Sequence, residues 1–254
     1  MNFFTSLCFL SSLLSLTALS LPAHSTNKIA EVFEGERACF LLKNSLSKNT
    51  DLKWGGRVCS KEVSPNQTFY LPLTLIANDL GLLQDEKTLF KWDGTHYENP
   101  TWNKDQFAVD WIQNRVDWVT ERLTRQIGKE PLKKYLSMFR YGNESTDPRE
   151  LKMSPVKQLA FAETFFQEAV QVKSTSWALT KKLFYIGKYR AGIEVWGQKG
   201  EDAETAWFVG QLRNQKESWT FVTLMTKGSG SKEPVTSERA QALSMDALTQ
   251  LKLF

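Results

Sequence analysis

The sequence predicts an α+β fold, a central antiparallel sheet interrupted by a large helical insertion. Three observations predict it. An early apolar run reads as a strand, and a long middle stretch carries helical periodicity. Three late apolar runs are joined by turns so short that their strands must pair antiparallel.

Taken in order, Arg37 to Lys43 reads as a buried strand through Ala38, Cys39, Phe40, Leu41 and Leu42, with a polar turn from Asn44 to Asp51. A helix start follows at Ser64. Ser64 suits the N-cap, Pro65 the first helical position, and Gln67 completes a capping box. Leu71, Leu73, Leu75, Ile76 and Leu80 make this helix apolar nearly all round, which marks it as central. One helix is expected from Asn103 to Ile127, ended by Gly128, and others over Pro131 to Phe139, from Ser154-Pro155, and over Thr175 to Tyr185. Strands are expected at Gly192 to Gly197, Thr205 to Arg213 and Glu217 to Thr226, before an amphipathic helix from Ser237 to Leu251.

A chain of 254 residues with 41% hydrophobic and 12% aromatic side chains has ample material for a packed core. The formal charge of +4 comes from 32 basic and 28 acidic residues without a basic block, so nucleic-acid binding is not expected. Residues 1–25 carry no charge and are apolar from Phe3 to Leu21. They read as a signal peptide with small-x-small cleavage sites at Ala18-Leu19-Ser20 or Ala23-His24-Ser25; the alternative is an uncleaved anchor. The expected location is therefore the periplasm or the exterior, with no membrane span after cleavage. Beyond Cys8, Cys39 and Cys59 remain, either as a disulfide worth about 3 kcal/mol or as two buried thiols. One histidine outside the leader, His96, gives no metal site, and no cofactor is expected.

Several strings carry a resemblance. Ala38 to Leu42, Ser64 to Leu73, Phe90-Lys91-Trp92-Asp93-Gly94, Trp102 to Asp105, Trp118-Val119-Thr120, Tyr141-Gly142-Asn143, Ser154-Pro155 and Ala206 to Gly210 together resemble the class D β-lactamases, penicillin-recognising serine hydrolases. The match runs from about residue 34 to the C-terminus. It implies a β-lactamase/transpeptidase-like fold: a sheet flanked by terminal helices, with an all-helical subdomain at roughly 64–187 inside one domain spanning 26–254.

The family's chemistry is missing at its own positions. Its S-x-x-K motif places a serine nucleophile and a lysine, carbamylated in this class, on one helix face. Here those positions hold Gln67 and Tyr70. An amide is no nucleophile, and a phenol is a poor base at neutral pH. The S-x-V hydroxyl is replaced within Arg115-Val116-Asp117, where Arg115 would block the cleft, pair with Asp117 or another acid, or bind an anion. The counterpart of K-T-G is Gln198-Lys199-Gly200, and Lys199 stands one residue out of register, so only a bulge would turn it inward. The loop whose Trp shelters the modified lysine is absent, Glu144 to Lys152 leading directly to Ser154. Ser45/Lys48, Ser154/Lys157 and Ser229/Lys232 repeat the S-x-x-K spacing; only the second opens a helix, where Ser154 serves as an N-cap.

The expected protein is thus a non-hydrolytic relative with a remnant cleft of Gln67, Tyr70, Arg115, Tyr141, Asn143 and Gln198, beside Lys199 and Gly200. That cleft would hold a peptidoglycan fragment or a β-lactam-like molecule through Arg115. The alternatives are weak β-lactam hydrolysis through non-standard groups, or a decayed paralogue without a ligand.

Overall fold

The computed structural model describes residues 23–48, 50–189, 192–228 and 234–253. All but the last three residues of the expected signal peptide, and the Ser229/Lys232 pair, lie outside these segments. The described chain opens with α1 (Ala23–Val32), which the sequence reading missed and which runs across the expected boundary at residue 25. Its apolar residues are too few to show a period, yet Ile29, and Phe33 just past its end, are fully buried.

Strand β1 (Ala38–Asn44) is followed, after the expected polar turn, by a short strand that the sequence left unassigned, β2 (Leu52–Trp54), and then by a 3-10 turn, Gly56–Ser60. Helix α2 (Tyr70–Asp79) begins later than expected, after a 3-10 turn at Asn66–Phe69. Asn66 adopts φ 48°, a left-handed conformation that asparagine tolerates and an α-helical first turn does not. The capping box is therefore absent. Ser64 Oγ accepts only from the Asn66 N–H, at 3.2 Å, and the Gln67 side chain is directed elsewhere.

Strands β3 (Leu89–Phe90) and β4 (Gln106–Phe107) form a small hairpin pair beside the helices. The single helix expected from Asn103 to Ile127 is two: α3 (Ala108–Asn114) and α4 (Asp117–Ile127). Arg115 closes α3 in the left-handed region, φ 54°, and Val116 is extended, so Asp117 starts a new helix. The apolar period survives the break because Trp111, Ile112, Val116 and Val119 are buried on both sides of it, which is why periodicity alone could not reveal it. Helices α5 (Lys129–Phe139), α6 (Pro155–Phe166) and α7 (Ser174–Leu183) complete the helical half. Ser154 caps α6 by accepting from the Lys157 N–H, while Lys157 Nζ pairs with Glu62 at 2.6 Å, so the two do not act as a pair.

The remaining strands are β5 (Tyr185–Lys188), β6 (Glu194–Glu201), β7 (Thr205–Arg213) and β8 (Ser218–Thr226), and α8 (Ser237–Gln250) ends the fold. Only Tyr185, the first residue of β5, was read as the end of α7, the rest of that strand being unassigned, and β6 extends past Gly197 through Gln198, Lys199 and Gly200. All six strands pair antiparallel in the order β2-β1-β8-β7-β6-β5. A sheet covered on both faces needs apolar residues pointing both ways. On β7, Trp207 and Val209 face the helical half, whereas Ala206, Phe208 and Leu212 face α1 and α8. This α+β arrangement, with terminal helices on one face and the helical half on the other, is the expected fold. Cys39 on β1 and Cys59 in the first 3-10 turn are joined by a disulfide, both fully buried.

Candidate functional site

The carboxy end of β6 meets the start of α2 where the helical half faces the sheet, and this junction collects most of the motif positions. The 3-10 turn presents Gln67 toward two partners. Its Oε1 accepts from the backbone N–H of Glu201 at 3.0 Å, and its Nε2 donates to Asp117 at 3.3 Å. One amide thus ties the turn to the strand and to the first residue of α4. Tyr70, one helical turn on and 1% exposed, donates its hydroxyl to Asp117 Oδ1 at 2.8 Å.

Asp117 is therefore the hub, and the sequence reading considered it only as a partner for Arg115. Burial raises its pKa, against the lowering influence of its hydrogen bonds to Tyr70 and Gln67 and of the more distant Arg115. Burial together with the adjacent carboxylate pushes the Tyr70 phenol well above its ordinary value. The signal that could have found Asp117 was present: an acid stands at the valine position of S-x-V, where the motif calls for an apolar side chain.

Gly200 explains how closely strand and helix approach. A Cβ at this position would stand 2.7 Å from the Gln67 backbone nitrogen and 2.8 Å from that of Thr68. The strand therefore lies directly on the two backbone nitrogens at the mouth of the buried helix, where a helix N-terminus would otherwise offer its N–H groups to an anion. Thr68 contributes nothing reactive, since its hydroxyl is buried and donates to the Pro65 carbonyl at 2.6 Å.

The β6–β7 register runs unbroken from Glu194 to Glu201, with no bulge. Gln198, 3% exposed, consequently faces the helical half and donates to the Lys199 carbonyl at 2.9 Å. Lys199 faces the other way, to Glu238 on α8 at 3.0 Å. Arg115 turns to the same acidic group: its guanidinium reaches Glu201 at 3.0 Å, Ser237 Oγ at 2.5 Å and Glu238 at 3.4 Å. It does not bond to Asp117.

Two expected cleft residues lie away from this junction. Tyr141 is fully buried in the helical half, packed edge-on to Phe161 at 4.8 Å and against Phe69 at 5.9 Å. Burial pushes its phenol far up, with Thr68 and Gln158 as polar neighbours. Asn143 is exposed and organises its loop, its Oδ1 accepting from the Lys152 N–H at 2.9 Å and its amide donating to the Glu150 carbonyl at 2.8 Å. In both cases the sequence identified the string and not the direction of the side chain.

What remains open to solvent is a pocket of about 210 Å³ lined by Gln67, Asn99, Trp102, Asn114, Arg115 and Glu201. Among the described residues no three His, Cys, Asp or Glu side chains converge as a metal ion would require.

Residues 26–178 match the model of the penicillin binding protein transpeptidase domain. The chain belongs to that family. Within it, the sequence is similar to Beta-lactamase OXA-1 of Escherichia coli, 28% identical over 87% of each chain. It is 26% identical to Beta-lactamase OXA-10 of Pseudomonas aeruginosa, covering 87% of this chain and 89% of the relative. It also resembles the Methicillin resistance mecR1 protein of Staphylococcus aureus, at 27% identity, but spans only 40% of that relative. A solved class D β-lactamase from Bacillus subtilis superposes with a TM-score of 0.80 at 22% identity, over 89% of this chain and 96% of that one. In this transpeptidase-family chain, then, the amide of Gln67 and the phenol of Tyr70 at the start of α2 are joined through the one carboxylate of Asp117.

Proposed function

We propose that this transpeptidase-family protein is non-hydrolytic and acts outside the cytoplasm as a reversible binder of a cell-wall fragment. One observation carries the loss of chemistry: Gln67 bonds to both Asp117 and the Glu201 N–H, so the nucleophile position is itself a structural tie. Acyl transfer needs an oxygen or sulfur nucleophile within reach of a base and next to an oxyanion site. The Tyr70 phenol is buried and donates to a carboxylate, and Gly200 lies over the backbone nitrogens that would receive an oxyanion. Export is supported by the uncharged apolar leader and by the Cys39–Cys59 disulfide.

A carboxylate ligand held by Arg115 alone is not the reading this geometry supports. Glu201 and Glu238 already occupy the guanidinium, and displacing either would leave an acid without its partner. The direct test is incubation of the mature protein with a penicillin and a chromogenic cephalosporin, followed by intact-mass measurement. The expected result is unchanged mass and no colour; a mass increase equal to the β-lactam would overturn the reading.

A further inference from the structure

The open pocket beside Gln67 has a charge balance and a lining that narrow what it accepts. Arg115 and Lys199 supply two positive charges at this end of β6, and Glu201 and Glu238 supply two negative ones, mutually paired at 3.0–3.4 Å. Glu201 is held further by the Ser237 backbone N–H at 2.5 Å. An incoming anion meets no uncompensated charge, and an incoming cation would have to break the same pairs.

The rest of the lining is neutral. Asn99 and Asn114 bring carboxamides, groups that pair a donor with an acceptor as adjacent hydroxyls do, while the amide of Gln67 is engaged with Glu201 and Asp117. Asn99 uses its oxygen to hold Thr101, at 3.1 Å to the backbone nitrogen, which leaves its NH2 for a ligand. The Asn114 side-chain amide makes no hydrogen bond among the described residues; its backbone carbonyl accepts from Trp102 Nε1 at 3.0 Å. Trp102 adds a half-buried indole, fixed by that bond, by its own carbonyl accepting from Trp118 Nε1 at 3.0 Å, and by the edge of Tyr97 at 5.7 Å. A rigid aromatic face beside amides binds with little ordering cost. It suits the apolar C–H face of a sugar ring whose hydroxyls reach the amides. At about 210 Å³ the pocket holds one such ring and not a peptide chain.

We propose that this pocket binds a neutral, hydroxyl-rich ligand the size of one sugar ring, with Trp102 as the platform and Asn99 and Asn114 as hydrogen-bonding partners. The proposal rests on the non-hydrolytic reading and names the part of a cell-wall fragment that would be recognised.

Two probes separate the possibilities: methyl N-acetylglucosaminide, which is neutral, and N-acetylmuramic acid, which adds a carboxylate to the same ring. Each is titrated into the isotope-labelled mature protein while indole N–H resonances are followed, that of Trp102 being assigned by Trp102→Phe. The neutral sugar is expected to shift the Trp102 resonance with an affinity on the order of 1 mM. Asn114→Ala, which removes a side chain the fold does not use, should weaken binding at least tenfold with an unchanged urea midpoint. N-acetylmuramic acid should bind no more tightly than the neutral sugar. The proposal is overturned if the neutral sugar causes no shift, if Asn114→Ala leaves binding unchanged, or if the carboxylate tightens it tenfold or more. Penicillin acylation in the intact-mass experiment would instead remove the non-hydrolytic reading, whatever the sugars do.

Discussion

Asp117 decides the chemistry at the level of single residues. A buried carboxylate is tolerated only with donors around it, and its two here come from Tyr70 and Gln67, at the start of α2 and in the turn before it. Tyr70→Phe should therefore destabilise the fold by about 1–3 kcal/mol, since it removes a donor to a charged group without changing shape. Equilibrium urea unfolding at neutral pH reads this directly, and an unchanged midpoint would contradict it. The pH dependence has a definite sign. Burial raises the folded-state pKa of Asp117, so its contribution is most favourable when protonated, at pH below its unfolded value, and is lost as pH rises through the folded value. Asp117→Asn lacks that titration. The stability of the variant relative to the natural protein should accordingly increase between pH 3.5 and pH 7, whatever its absolute value; a relative decrease over that range would refute the burial argument.

At the level of elements, the closure of strand β6 onto the start of α2 depends on a missing side chain. Gly200→Ala would force a methyl group against backbone nitrogens at 2.7 and 2.8 Å, atoms that cannot rotate away. Strand and turn must separate, at about 1–3 kcal/mol for overpacking. Loss of the Gln67 bond to the Glu201 N–H should follow, visible as faster hydrogen exchange at the Glu201 amide; exchange as slow as in the natural protein would count against the closure. Elements also show what was legible beforehand. β7 and α8 were readable almost residue by residue, because an unbroken apolar run between polar turns and an amphipathic period each have one structural solution. The break at Arg115 was not, because the burial period passes through it and a left-handed arginine leaves no mark in composition. The helix start at Gln67 was misread for a related reason: the capping-box letters are present, but Asn66 takes a left-handed turn that the letters do not record. At the site, the four departures from the family motifs were legible as identities. Their consequences, the Asp117 hub and the neutralisation of Arg115 by Glu201 and Glu238, required residues 47 to 123 positions apart to meet.

Over the whole molecule, two apolar cores back onto one sheet, and the disulfide fastens the sheet to the segment that leads into α2. Cys59 follows Cys39 by 20 residues and lies in the 3-10 turn at Gly56–Ser60, which precedes the Gln67 turn. Closing a loop of that length removes unfolded-state entropy equivalent to about 3 kcal/mol in the chain-entropy model. Both cysteines are fully buried, so a thiolate has no path to either sulfur in the native state. Two consequences separate thermodynamics from access. Incubating the folded protein with reductant should leave its unfolding curve unchanged over hours. Reductant added in urea, where the bond is exposed, should lower the apparent stability by about 3 kcal/mol and make refolding incomplete at 37 °C. Rapid loss of stability in the folded protein would mean that β1 and the 3-10 turn part readily. The path into α2, and with it the fixed placement of Gln67 between Asp117 and β6, would then be a fluctuating arrangement instead of a closed one.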